Sequence, residues 1–442
     1  MTEDLKWTER LPKDWSVQPL KFVAHVQPSN VNKIASDDEI PVRLCNYTDV
    51  YKNEFIVADM EFMRSTATEQ EIEKFHLEVD DVIITKDSET ADDIAIPAYV
   101  KVTADDLVCG YHLTMMRPNA AKLSGRYLHR VLGSKELRAQ LELAAKGVTR
   151  VGIPQNAIGR ASIPIPPLPT QRRIADYLDA ETQRIDELIA AKRSMLVLLA
   201  KKRAALVSQA VTKGLNPNAK MKDSGLEWLG EIPEHWEIKP LRYWGWCQNG
   251  VSQGADYFGS GYPFVNYGDV YRSEALPFEV EGLANSTDAD RTLYSVQEGD
   301  VFFTRTSETI HEIGMAATCV KTIVKGTFSG FVIRVRPFVD ELAVHFSKYY
   351  FRSQALRVFF MREMNIITRA SMSQDLLKQL PVLVPPMKEQ LAIAEHLDKW
   401  NEQYAALSTD LATSIGLLVS RRSALITAAV TGQVGVPEAM SA

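Results

Sequence analysis

A mostly apolar and aromatic set of positions near the end of the chain returns in alternating steps of four and three: Ile393, Leu397, Trp400, Tyr404, Leu407, Leu411, Ser414, Leu418, Arg421 and Leu425, with only Ser414 and Arg421 polar. The same beat occurs earlier, at Ile174, Leu178, Glu181, Ile185, Leu188, Lys192, Met195, Leu199, Lys202 and Leu206. Steps of three and four lay one stripe along one helix face, which is the seam pattern of coiled coils. Neither stretch contains proline, and Gly214 and Gly432, with Pro217 and Pro437 just beyond, read as helix stops. Each stretch follows a proline pair, Pro166-Pro167 or Pro385-Pro386, and ahead of the pair the pattern changes. The runs Asp81 to Thr85 and Asp300 to Thr304, after turn residues at Asp80 and Glu298-Gly299, predict short strands, as do Tyr111 to Met116 and Phe331 to Val335. Apolar residues three and four apart predict helices over Gly133 to Ala145 and Glu341 to Met361. The chain therefore reads as α+β, with mixed front parts and long helical back parts.

That alternation is a duplication. Residues 5–212 and 226–431 carry one pattern twice, at an offset drifting only between 221 and 219. Trp7, Pro12, Trp15 and Pro19 answer Trp228, Pro233, Trp236 and Pro240; Asn46 to Tyr51 answers Asn266 to Tyr271; Arg203 to Thr212 answers Arg422 to Thr431. Solenoid units run roughly 20 to 50 residues, so a period this long means two domain-sized copies with a pseudo-twofold relation. The nearest partner for each long stripe is the other, and with one globular part between them antiparallel packing is the natural closure. A helix of ~36 residues at ~1.5 Å per residue would then form a rod of about 55 Å. The polar seam positions Glu181, Lys192 and Lys202 could fix register in such a coil, or face a protein partner.

Charge changes this picture in one respect. Net charge is -6 and the pI near 5.9, which taken whole disfavours a nucleic-acid binder. The cations are nonetheless concentrated: Arg117 to Arg150 holds eight Lys/Arg against two Glu, and Arg334 to Arg369 holds seven against three acids. A run repeated at equivalent places, with Tyr127, Tyr349, Tyr350 and Phe351 interleaved, points to a surface that tracks phosphates, whereas a single run would read as a solvated face. No apolar run reaches membrane-span length and the polar start lacks the order of a signal peptide, so a cytoplasmic protein is expected. The four cysteines, Cys45, Cys109, Cys247 and Cys319, have no CxxC spacing and no repeated place, which predicts reduced structural thiols.

Catalytic constellations are missing. There is no phosphate loop, HExxH, GxSxG or strand-borne GxGxxG, and no amino-methyltransferase tetrad. The nearest nuclease-like string, Glu237-Ile238-Lys239 with Asp223 upstream, has Ser16-Val17-Gln18 as its counterpart, which could hold no metal. A non-enzyme with neither a catalytic nor a metal site is expected.

The tryptophan-bearing leader before "PL", the "GDVFFTR" strand, and the starts "PPLPTQRRIADYLD" and "PPMKEQLAIAEHLD" make the chain similar to the specificity subunit of type I restriction-modification enzymes. The resemblance covers essentially the whole chain, duplication included. It implies a target-recognition domain over 1–169, a central conserved long helix over 170–213, a second target-recognition domain over 214–386 with a linker at 214–225, a C-terminal conserved long helix over 387–432 and a tail over 433–442. It further implies that each domain reads half of a bipartite site in double-stranded DNA. The helices, packed as an antiparallel coiled coil, would receive two modification (methyltransferase) subunits and the restriction/translocase subunits. Those partners use S-adenosylmethionine, ATP and Mg; the subunit itself binds no cofactor. A duplicated non-DNA coiled-coil scaffold is the alternative reading, and a diverged nuclease a third.

Candidate DNA contacts are Lys86 and Arg305 at the ends of the repeated strand, beside Ser88 and Ser307, and then Thr149-Arg150 and Thr368-Arg369. Arg126, Arg130, Arg352 and Arg357 of the basic stretches join them. Asn46, Tyr47, Tyr51, Asn266, Tyr267 and Tyr271 could read or stack bases, or bury a turn; Asp49 and Asp269 are expected to brace that turn. Residues shared by both copies should touch backbone, and residues that differ should read bases.

Overall fold

A computed structural model describes residues 3–307, 312–363 and 370–437. The chain divides into two compact units, Met1–Arg193 with Ala412–Ala442 (unit 1) and Ser194–Leu411 (unit 2). Both long helices form, Leu168–Lys213 and Met387–Val430, and the division runs through each of them. In unit 1 Asp186 of the first helix meets Arg422 of the second at 2.9 Å, and in unit 2 Arg203 meets Asn401 at 2.8 Å. Residue numbers rise on one helix as they fall on the other, the antiparallel register.

Each core is completed by the end of the other copy's helix. Unit 1 buries Ile174 and Leu178 from the start of the first helix together with Ile426, Ala429 and Val430 from the end of the second. Unit 2 buries the equivalents, Ile393 and Leu397 with Val207, Ala210 and Val211. The helix stops seal the arrangement. Gly432 has φ +68° and lies where a Cβ would meet Pro12 at 2.4 Å; Gly214 has φ +73° and faces Trp236 at 3.3 Å. A left-handed φ with no room for a side chain is a place for glycine.

In unit 1 a five-stranded sheet has the order Ala24–Pro28, Leu113–Pro118, Val82–Thr85, Pro97–Val100, Phe55–Ile56, and a three-stranded sheet has the order Met63–Ala67, Ile40–Cys45, Leu107–Cys109. In unit 2 a four-stranded sheet of Gly245–Asn249, Val332–Pro337, Val301–Thr304 and Ala316–Thr318 repeats the central order. The predicted strands pair in the same register, Met116 opposite Val82 and Val335 opposite Val301. The turns before them have left-handed φ, +79° at Asp80 and +89° at Gly299. Beneath both sheets lies one ion pair, Arg117 to Asp81 at 2.8 Å and Arg336 to Asp300 at 2.6 Å, with each aspartate buried. A buried carboxylate held by a guanidinium fork fixes the strand pairing geometrically.

Two expectations need correction. The helix expected over Glu341 to Met361 is two, Val344–Arg352 and Gln354–Glu363, because Ser353 turns extended between them with ψ 149°. The seam also drifts from its expected register. Buried positions on the first helix are Ile174, Leu178, Thr182, Ile185 and Ile189, so Leu188 is 52 % exposed; its counterpart Leu407 is 49 % exposed. A helix turns every 3.6 residues and a stripe can advance by four as readily as three. Thr182 can occupy the apolar seam because its hydroxyl donates to the Leu178 carbonyl at 2.7 Å. Leu199, Leu206, Leu411, Leu418, Leu425, Trp400 and Tyr404 are half-buried, the last two stacked at 5.7 Å.

Candidate nucleic-acid interface

The strand Val82–Thr85 ends at Lys86, and the chain then makes a second, two-residue strand, Asp87–Ser88. Its partner is Val151–Gly152, with Ser88 opposite Val151. That pairing brings Arg150, from the end of the basic stretch, beside Lys86, from the end of the strand. Asp87 organises the group: Arg150 reaches it at 2.5 Å and His112 Nδ1 at 2.8 Å. Lys86 donates to the Ser29 carbonyl at 2.8 Å and sits 4.7 Å from the centre of the Tyr111 ring. Burial pushes its ammonium below the usual lysine value, with Asp87 opposing. The face therefore holds Lys86, Arg150 and the exposed Lys146 and Thr149 around one carboxylate, with Tyr111 half in solvent.

Unit 2 builds the same corner. Arg305 follows Val301–Thr304, and Thr306–Ser307 pairs with Ala370–Ser371, Ser307 opposite Ala370. The Met372 N–H donates to the Arg305 carbonyl at 2.8 Å, as the Ile153 N–H does to the Lys86 carbonyl at 2.9 Å. Thr368 and Arg369 lie outside the described residues. Ser307 donates to Glu312 at 2.8 Å, and so does Tyr271 at 3.1 Å.

The tyrosine pairs form a repeated small helix, Tyr47–Lys52 and Tyr267–Arg272. The N–H of Asn46 donates to Asp49 at 2.7 Å and that of Asn266 to Asp269 at 2.8 Å, so both aspartates brace the helix start. On its face Tyr47 stacks on Tyr51 with centroids 5.5 Å apart, and Tyr267 on Tyr271 at 5.8 Å. Tyr51 also donates to Asp93 at 2.9 Å.

The arginines of the basic stretches are a correction. Arg130 is 3 % exposed, held by Asp179 at 2.7 Å and by Glu54; Arg126 is held by Asp176 at 2.8 Å and by Asp179. Arg352 donates to the carbonyls of Tyr271, Val270 and Ala316, and Arg357 to that of Ile313. Arg130, Arg352 and Arg357 are spent on partners inside the fold, because a buried or half-buried arginine needs its donors satisfied, whereas Arg126 is paired at the surface, with its side chain 39 % exposed. Sequence reasoning missed Asp87, Tyr111, His112 and Lys146. The signs of them were the dipeptide Tyr111-His112 at the start of a predicted strand and the place of Lys146 in the first basic stretch.

Glu237-Ile238-Lys239 is ordinary strand, paired with Val382–Val384, and Lys239 is tied to Glu237 and Glu341 at 3.1 Å. Among the described residues no cluster of His, Cys, Asp or Glu is placed to hold a metal ion. No described helix is long and apolar enough to cross a membrane.

Comparison with known proteins bears on the same features. Residues 12–196 match the type I restriction modification DNA specificity domain. The chain is 24 % identical over 413 residues to a putative type I restriction enzyme MjaX specificity subunit of Methanocaldococcus jannaschii, covering 89 % of each. It is 22 % identical over 405 residues to the EcoKI specificity subunit of Escherichia coli K12, covering 88 % of this chain and 82 % of that one. In fold it is similar to a solved chain from work on complex assembly and conformational transition of the type I R-M system, with TM-score 0.70, 18 % identity and coverage of 96 % and 99 %. The HsdS subunit of Thermoanaerobacter tengcongensis follows with TM-score 0.53, 17 % identity and coverage of 96 % and 98 %. With the domain match in the first copy, and relatives and fold that run through both, the chain is similar along its length to the specificity subunits of type I restriction-modification enzymes.

Proposed function

We propose that this chain recognises double-stranded DNA for a type I restriction-modification assembly, unit 1 reading one half of a bipartite site and unit 2 the other. The observation that supports this most is the doubled corner: in each unit a cation at the end of the central strand lies beside a two-residue sheet that closes the basic stretch. Cations fixed on backbone in this way suit phosphates, whose spacing is the same at every site. The residues around the corner differ between units, so the two half-sites differ in sequence. Chemistry belongs to the partners: two methyltransferase subunits that use S-adenosylmethionine, and restriction subunits that use ATP and Mg to move and cut DNA.

The test is retention of genomic duplex on a filter by the chain co-expressed with its methyltransferase subunits, followed by sequencing of methylated adenines. A split motif with two unlike halves is expected. No retention would favour the scaffold reading, and metal-dependent nicking by the chain alone would favour a nuclease.

A further inference from the structure

The loop that carries Arg150 has an apolar tip. Lys146 and Gly152 exchange two backbone hydrogen bonds of 2.9 Å, closing a short loop between them. Gly147 has φ +138°, and a Cβ there would stand 2.0 Å from the Arg150 carbonyl, so the loop is folded tightly on itself. Gly152 pairs in turn with Asp87. The tip is therefore fastened to the strand end that bears Lys86. At that tip Val148 is fully exposed.

Nothing in the fold calls for a valine there. Tight loops favour Gly, Asn, Asp, Ser or Pro, and a β-branched side chain in water contributes no packing. A single exposed apolar residue is ordinary. This one differs in three respects: it is presented by a closed loop, that loop carries the exposed Lys146 and Arg150 on either side of it and is tied by the Ile153 N–H to the Lys86 carbonyl, and the other copy also has a β-branched residue, Ile367, before its Thr-Arg. Cations around an apolar point suit a polyanion with a methyl group between its phosphates. In duplex DNA that group is the thymine C5 methyl, which lies in the major groove. Valine has a single side-chain torsion, already stiff because Cβ is branched, so it loses little freedom on contact.

We propose that Val148 reads a thymine methyl in the half-site bound by unit 1, with Lys146 and Arg150 on the flanking phosphates. The proposal rests on the DNA-recognition reading above.

The test uses the full chain with its methyltransferase subunits and a duplex carrying the site mapped by adenine methylation, with each thymine replaced singly by uracil. For the wild type, one replacement in one half-site is expected to weaken binding about five- to tenfold, the low end for a lost base contact. For Val148→Ser the thymine and uracil duplexes should bind alike at that position, and every other position should keep its wild-type ratio. Val148→Ile, which keeps the apolar tip, should retain the discrimination. The proposal is overturned if Val148→Ser keeps the wild-type ratio everywhere, if it weakens specific and random duplex equally, or if no uracil matters to the wild type. Should the wild-type complex retain no duplex at all, the recognition reading falls first and this one with it.

Discussion

Replacing Arg130 by methionine separates a structural arginine from a DNA-contacting one. Its guanidinium is buried against Asp179 and Glu54, and each acid has a second partner: Arg126 for Asp179, and Arg422 at 2.5 Å for Glu54. Burial alone would push the Glu54 carboxyl up, but Arg130 and Arg422 outweigh it and hold the group below the usual glutamate range. Asp179 is likewise raised by burial and brought below its usual range by Arg126 and Arg130. Removing one member of a buried pair costs about 3 to 5 kcal/mol. Each acid here keeps a second guanidinium and some solvent, so the low end, about 3 kcal/mol, applies. For a unit of roughly two hundred residues that lowers the unfolding temperature by about 6 to 12 °C. Calorimetry at pH 7 should show that drop, while the salt dependence of DNA binding keeps its slope. The sign with pH is fixed too. Carboxyls depressed in the folded state stabilise it above their unfolded pKa, near 4, and that contribution fades as pH falls through the folded value. The penalty of Arg130→Met should therefore shrink below about pH 4. A wild-type melting temperature at pH 7, or a salt slope reduced by about one phosphate contact, would refute the assignment.

His129 gives a second pH effect: burial pushes its pKa down to about 4, so the unfolded chain takes a proton first and unit 1 loses stability as pH falls from about 6.5 to 4. His129→Gln should flatten that slope in urea melts, and an unchanged slope would exclude the histidine as its source. On the first long helix Ile189→Ala should cost about 2 to 4 kcal/mol, whereas Leu188→Ser, one residue away, should leave the midpoint in urea within about 0.5 kcal/mol. Equal losses would restore the expected seam register. A fragment of residues 1–213 lacks Ile426, Ala429 and Val430 but carries their equivalents Val207, Ala210 and Val211, so two fragments should each lend a helix end to the other. Sedimentation should find a dimer; a stable folded monomer would contradict the core described here.

What the sequence disclosed was periodic or doubled. The long helices, the central strands and the turns at Asp80 and Gly299 were all visible because each depends on neighbours a few residues away. The two-residue strands Asp87–Ser88 and Val151–Gly152 leave no such trace: they are too short for alternation and pair across more than sixty residues. Charge was visible as composition but not as partnership. Arg130 meets Glu54 from 76 residues away, so a stretch that reads as a basic face is largely spent on internal acids and carbonyls. The seam slipped at Leu178 because both successors, Glu181 and Thr182, are polar, and only packing decides which one a helix will bury.

The interior polar contacts that repeat show one frame built twice, once in each unit. Gln171 and Gln390, both fully buried, do identical work. The Gln171 amide donates to the Pro166 and Lys122 carbonyls and accepts the Ser124 N–H at 3.0 Å. The Gln390 amide donates to the Pro385 and Glu341 carbonyls and accepts the Ala343 N–H at 2.7 Å. With the Asp81–Arg117 and Asp300–Arg336 pairs, these contacts fix where each strand and helix start stands, and an unmade partner in such a buried network costs more than the bond contributes. Outside that frame the copies part: His25 stands where the second copy has Trp246, and Asn119 where it has Phe338. A substitution on the frame is therefore expected to cost stability in the unit that holds it, and, under the function proposed above, a substitution around a corner to change the half-site which that unit reads. On that proposal, a duplicated chain can acquire an unsymmetrical target while each unit keeps its fold.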